Sequence, residues 1–180
     1  AGLYAEYTYA IRDKFSVVAG VRGDYNTYFD KYYLTPRGHL RWNITPTTTL
    51  RASAGLGYRS TNVITDNIGI LATGRRIVFR DGFGKDFNRM EKALTVGGSL
   101  TQNFSLVGHE DATLSFDYFR TQFYNSVIAD QEYSADQIVL YNSDKRSYTD
   151  TYQIDFSWTP VERLDILSLI HISEPTRRVV

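Results

Sequence analysis

Residues 47–62, TTTLRASAGLGYRSTN, decide how the chain is read. Leu50, Ala52, Ala54, Leu56 and Tyr58 alternate with Arg51, Ser53, Gly55, Gly57 and Arg59. A period of two places these two sets on opposite faces of an extended strand. One face is apolar and the other carries guanidinium groups, so the strand separates two media.

The same alternation recurs outward from this segment. In 15–25 the odd positions are Phe, Val, Ala, Val, Gly and Tyr, against Ser16, Gly20, Arg22 and Asp24. In 34–44 the even positions are Leu, Pro, Gly, Leu, Trp and Ile, against Arg37, His39, Arg41 and Asn43. In 148–158, Tyr152, Ile154, Phe156 and Trp158 oppose Thr151, Gln153, Asp155 and Ser157. The pattern predicts strands near 2–11, 15–25, 33–44, 48–59, 91–104, 112–124 and 147–158, with an eighth beginning near Leu164.

Composition agrees. Tyr and Phe number 24 of 180 residues, Cys is absent and Met occurs once; aromatic and β-branched residues favour extended chain. The expected class is all-β, in one domain. Twenty basic residues balance twenty acidic ones, which gives no electrostatic case for a nucleic-acid partner. No apolar run reaches the roughly 18–20 residues of a membrane helix. Position 1 is not Met and opens no signal sequence, which fits an internal fragment.

Connections sharpen the reading. Those at 12–14, 45–47, 105–111 and 159–163 are short, whereas 26–32, 60–90 and 125–146 are longer, in strict alternation. An up-and-down meander then gathers its tight turns at one end and its large loops at the other, as transmembrane barrels do. Two tight turns share a Trp-then-Thr-Pro pattern, Trp42 with Thr45-Pro46 and Trp158 with Thr159-Pro160. A Trp beside the bend suits an interfacial belt, or the rim of a soluble core. Tyr25, Tyr28, Phe29, Tyr32 and Tyr33, and Phe123, Tyr124, Tyr148 and Tyr152, supply a second girdle at the long-loop end.

A half-buried soluble sheet also alternates; loop asymmetry, strand length and aromatic placement together favour a membrane barrel. Glu6, Arg22, Asp24, Arg37, His39, Arg41, Arg51, Arg59, Asp117 and Asp155 are then expected on the lumen wall. An Arg or Lys on the lipid face costs about 2–4 kcal/mol at the midplane and little near the interfaces. Lys92, Arg120 and Asp150 break the parity, and all three lie toward the long-loop end.

Three stretches carry a family resemblance: 4–26, YAEYTYAIRDKFSVVAGVRGDYN; 34–77, LTPRGHLRWNITPTTTLRASAGLGYRSTNVITDNIGILATGRRI; and 139–166, VLYNSDKRSYTDTYQIDFSWTPVERLDI. They resemble the barrel of TonB-dependent outer-membrane receptors of the siderophore and vitamin B12 type. Pro36-Arg37, Tyr58-Arg59 with Asn62, and DNIGILATGR are the most specific parts. The resemblance implies a 22-stranded barrel in the cell outer membrane with a plugged lumen. Its implied partners are outer-membrane lipid, the TonB system acting through a plug region that is missing here, and a small chelate ligand. It implies active transport, no enzyme activity and no cofactor. Seven or eight strands without a plug would transport nothing alone. A passive porin or structural barrel, or a soluble β-sandwich binding module, are the competing readings.

Within the resemblance, loop residues Asn62, Asp66, Asn67, Arg75, Arg76 and Arg80 are expected to contact ligand, since function concentrates on loops. The 60–90 connection is rich in cations, with Lys85 and Arg89 as well, which suits an anionic chelate or a solvated outer loop. The last stretch, 167–180, departs from the family and resembles translated sequencing-adapter read-through. Its alternation lapses, and Glu174-Pro175 is expected to break any strand. Domains are accordingly expected at 1–166, a partial barrel, and 167–180, a non-native tail.

Other chemistry finds little support. His39, His109 and His171 are dispersed, with no metal-ligand spacing. No nucleophile elbow accompanies them, and GLGYRS lacks the glycine spacing of a phosphate loop. Arg22-Gly23-Asp24 spells an adhesion tripeptide, but in a strand Arg22 and Asp24 share one face and read as a lumen pair.

Overall fold

The computed structural model describes residues 1–60, 68–80, 90–106, 109–124, 126–143, 146–161 and 164–176. Eight strands form one antiparallel sheet: β1 (Gly2–Ile11), β2 (Phe15–Asn26), β3 (Lys31–Asn43), β4 (Thr48–Ser60), β6 (Met90–Leu106), β7 (His109–Tyr124), β10 (Ser147–Val161) and β11 (Leu164–Thr176). Strands adjacent in this order are neighbours in space, so the sheet is an up-and-down meander. Register sets the two faces: Val17 pairs with Leu40, Leu40 with Ala52, Ala52 with Gly98, and Gly98 with Tyr118. The expected all-β barrel wall is what the chain forms.

Tight turns follow from local chemistry. Arg12 and Asp13 both have positive φ, 30° and 54°, and the Lys14 N–H donates to the Ile11 carbonyl at 2.9 Å. Positive φ at both central residues matches the twist of a two-stranded hairpin. At the 44–47 bend, Thr45 Oγ1 accepts from the Thr48 N–H at 2.9 Å, the local bonding that suits Thr to turns.

Three expectations are corrected. The connection at 26–32 is not long: residues 27–30 make a compact turn in which Asn26 Oδ1 accepts from the Tyr28 and Phe29 N–H groups and Asp30 takes φ 53°. Strict alternation of short and long connections therefore fails there, although both large insertions still leave from the same end of the sheet. Those insertions are not plain loops. They contain a one-turn helix α1 (Ile68–Leu71) and a second sheet of β5 (Arg76–Phe79), β8 (Ser126–Asp130) and β9 (Gln137–Ser143). β5 runs parallel to β9 and β8 antiparallel to it, around a small core in which Leu140 is packed by Ile77, Phe79, Val127 and Ala129. Finally, Glu174-Pro175 does not end the strand: β11 continues to Thr176, with Pro175 opposite Thr149. Pro is tolerated on an edge strand where the missing N–H would face away from the ladder.

The apolar face of the large sheet is uncovered. Leu3, Leu34, Val96, Leu100, Leu114, Phe116 and Ile154 are all exposed, and among the described residues no second layer packs on them. A soluble sandwich would bury this face against another sheet. No described helix is long and apolar enough to cross a membrane, which says nothing about crossing with strands. Trp42 is exposed, as a belt residue would be. Trp158 differs: its Nε1 is buried without a hydrogen-bond partner among the described residues, at the point where the β10–β11 register shifts.

Candidate functional site

The polar face of the sheet carries all ten residues expected on the lumen wall. Glu6 on β1 reaches Arg37 on β3 at 2.6 Å, crossing the intervening β2. It can do so because Gly20 stands between them, paired with Glu6 on one side and Arg37 on the other. A Cβ at Gly20 would meet Arg37 Nε at 3.1 Å and Cγ at 3.2 Å. Arg22 donates to both Asp24 oxygens, at 2.7 and 2.9 Å, so the tripeptide's two charges satisfy each other. Arg59 donates to Glu91 Oε2 from Nε and Nη2 at 3.2 and 2.8 Å. Glu91 in turn accepts from the Val127 N–H at 3.4 Å, tying the wall to the outer sheet.

Nearer the tight turns, Arg41 and Arg51 stand directly opposite each other on β3 and β4. Like charges so placed repel. Arg41 Nε donates to the neutral Asn43 Oδ1 at 3.3 Å, and neither guanidinium makes an ion pair among the described residues. Both line an open cleft of about 350 Å³ with His39, Ser53, Asp117 and Phe119. Asp117 lies two strands from Arg51, beyond Ser99. Asp155 accepts from Gln153 Nε2 at 2.9 Å. Hydroxyl pairs fill out the face, with Thr95 against Thr121 at 3.0 Å and Ser115 donating to Thr101 at 3.3 Å. The surface can therefore bind polar and anionic groups over several strands. Among the described residues no group of three or more His, Cys, Asp or Glu could hold a metal ion.

Of the expected loop contacts, Arg75 Nη1 donates to the Gln131 carbonyl at 3.1 Å and the Arg80 guanidinium lies over the Tyr141 ring at 5.2 Å. Both hold the outer sheet together. Arg76 is exposed at the start of β5. Asn62, Asp66 and Asn67 lie outside the described residues.

Two features were not foreseen from sequence. Gly97 opens a niche filled by Phe119, since a Cβ there would lie 2.2 Å from Phe119 Cδ1 and 2.5 Å from the Tyr118 carbonyl oxygen. On the apolar face, Arg120 forks onto both oxygens of Asp150 at 2.7 Å each, while the Tyr118 hydroxyl donates to Asp150 at 2.9 Å. Arg120 also lies over Tyr148, 4.6 Å from its centroid. The sequence marked Arg120 and Asp150 as parity exceptions. Their pairing across β7 and β10 depends on register, which alternation leaves undetermined.

Comparison with known proteins places this geometry. Residues 1–163 match a family model described as TonB dependent receptor-like, beta-barrel. Similar solved structures include the siderophore receptor PirA from Pseudomonas aeruginosa, at 13% identity and TM-score 0.67, with 97% of this chain and 34% of that one covered. The FrpB iron transporter from Neisseria meningitidis is similar at 18% identity and TM-score 0.62, covering 97% and 25%. A mutant of the ferric enterobactin receptor PfeA from Pseudomonas aeruginosa is similar at 13% and 0.69, covering 96% and 26%. At these identities the likeness is one of fold, and the chain spans a quarter to a third of each. No curated protein matches the sequence.

Proposed function

Because this chain belongs to the TonB-dependent receptor-like β-barrel family, we propose that it is one sector of the wall of an outer-membrane receptor that takes up a scarce chelate. The observation that carries the reading is the eight-stranded meander, with one face charged and the other apolar and uncovered. Lipid suits the apolar face, since the outward band of a transmembrane barrel is apolar, and every backbone group in the bilayer must be paired within a closed barrel. The sheet's two outer edges are open; in the native protein the strand that follows β10 and the remaining strands of a larger barrel would close them.

In this reading the polar face is the lumen wall. The Arg41–Arg51 pair, which makes no ion pair among the described residues, receives an acidic side chain from the plug that fills the lumen. The outer sheet around Leu140 supports the ligand-contacting loops, with Arg76 facing solvent. The ligand is an anionic chelate such as a ferric siderophore, or cobalamin, and TonB supplies the energy through the plug. Residues 1–166 are the barrel sector and 167–180 are a non-native tail. That division is supported by Leu167 and Leu169, both well exposed, which sit on the polar face opposite Ser157 and Asp155.

The test is uptake by cells carrying the full-length gene. Radiolabelled ferric chelates should accumulate in a manner abolished by deleting this gene or TonB, and by an uncoupler. Diffusion of small solutes that ignores both TonB and the uncoupler would identify a passive pore and overturn the proposal.

A further inference from the structure

One ladder of the large sheet stops halfway. β3 pairs with β2 from Lys31 to Trp42, and β4 with β6 from Thr48 to Ser60. Between β3 and β4 themselves, pairing runs only from Asn43 opposite Thr49 to Arg37 opposite Gly55. Residues 31–36 and 56–60 lie beyond that point, still within their strands, so the wall has a seam at its long-loop end. Main-chain parity gives the cause. The Asn43 N–H donates to the Lys14 carbonyl on the β2 side, and the Thr47 carbonyl accepts from the Asn103 N–H on the β6 side. Even residues of β3 and of β4 therefore turn their main-chain groups toward each other. The next even pair after Gly38 and Ala54 would be Pro36 and Leu56, and Pro36 has no N–H to give.

The seam lies at lipid depth. A transmembrane strand crosses the bilayer in about 9–11 residues, which counted from Trp42 at the tight-turn end reach 32–34 on β3. At that depth every main-chain group requires a partner, yet those of Leu34, Leu56 and Tyr58 have none in the β3–β4 ladder. The lining is layered. Leu34, Pro36 and Leu56 share the parity of the apolar face, and Leu34 is exposed. On the polar face Gly57 borders open space, since a Cβ there would meet nothing within 4 Å. Tyr33 has the parity of Arg37 on the polar face, and Tyr58 that of Ala54 on the apolar face. Their ring centroids nevertheless lie 5.0 Å apart. Side chains from opposite faces come this close only by turning into the seam, and the two rings fill it.

We propose that this seam is a lateral slot for an amphiphilic chelate, one that carries a single hydrocarbon chain on an amide. The chain lies among Leu34, Pro36 and Leu56 on the lipid side, the amide bonds the main-chain groups that lack ladder partners, and the chelating head stands in the lumen beside Gly57. An amide brings a donor and an acceptor to the layer that needs both, whereas hydrocarbon there would leave those groups unpaired. Tyr33 and Tyr58 part to admit it. The inference rests on the reading of the chain as the wall of a chelate receptor, and it names the class of that chelate.

The experiment uses the full-length receptor in mild detergent and two probes, a ferric trihydroxamate bearing a dodecanoyl amide and the same chelate bearing an acetyl amide. Residue-resolved hydrogen exchange is read with and without each. Without a probe, the Leu56 and Tyr58 N–H groups should exchange about a hundredfold faster than those of Ala52 and Ala54, which face β3 within the ladder. The dodecanoyl probe should slow Leu56 and Tyr58 about tenfold, and the acetyl probe should leave them unchanged. Gly57→Phe, which fills the open space, should raise the half-saturating concentration of the dodecanoyl probe about tenfold. A Lys14→Gln control at the tight-turn end should match wild type. Leu56 and Tyr58 as protected as Ala52 and Ala54 before any probe is added overturns the seam. Equal slowing by both probes, or by neither, overturns the slot, as does unchanged dodecanoyl binding in a Gly57→Phe variant that keeps heat-modifiable mobility. In cells, uptake of both probes that ignores TonB refutes the receptor reading, whereas TonB-dependent uptake of the acetyl probe alone refutes the slot and leaves that reading in place.

Discussion

Gly20 and Gly97 act through the space they leave on the polar face. Gly20 lets the Arg37 side chain lie across β2 to reach Glu6. Gly20→Val should break that bridge, at a stability cost of about 1 kcal/mol or less, because exposed ion pairs contribute little. Gly97→Ala is the more damaging change, since its Cβ meets backbone as well as the Phe119 ring. It should destabilise the full-length receptor by about 1–3 kcal/mol, as overpacking does, read as a lowered urea midpoint in detergent. The faces themselves can be tested at adjacent residues. Ala54 pairs with Val96 on the apolar side and Ser53 with Gly97 on the polar side. Ala54→Asp should reduce the surface level of the receptor several-fold while Ser53→Asp leaves it near normal; equal levels would contradict the assignment.

Elements differ in what holds them. The large sheet relies on its ladders and on the medium against its apolar face, whereas the outer sheet has its own core at Leu140, with Ile138 and Val139 also buried. Leu140→Ala should cost about 2–5 kcal/mol locally. Hydrogen exchange should rise within 126–143 while β6 and β7 stay protected. A parallel rise through β6 and β7 would mean that the two sheets unfold as one. The hairpin turn makes the opposite prediction. Arg12 and Asp13 hold positive φ, a conformation costing L-residues about 1–2 kcal/mol each. Replacing them by Asn-Gly should raise the urea midpoint of the receptor. For β11, the genomic sequence should diverge from LSLIHISEPTRRVV at about codon 167, where the polar face loses its polarity.

At the scale of the whole molecule, an eight-stranded sheet with an uncovered apolar face and two open edges is a sector of something larger. Open edges template further pairing. Residues 1–166 expressed alone should aggregate in water and show no heat-modifiable mobility in detergent, whereas the full-length gene product should show it. The chain's coverage of only a quarter to a third of its structural relatives agrees with this.

Period-two alternation by itself determined the faces, the approximate strands and the end at which the large insertions lie, because each of these depends on residues close in sequence. It also marked Lys92, Arg120 and Asp150 as exceptions. Only the tertiary structure decided their partners. Arg120 meets Asp150, and Lys92 and Arg146 both lie over the Tyr124 ring, through cross-strand register between residues distant in sequence. The bridge from Glu6 to Arg37 needs three strands in register with a glycine in the middle one. The outer sheet escaped notice because β5, β8 and β9 are short runs inside polar insertions. Their pairing contributes only when two insertions, distant in sequence, are brought to the same end of the meander.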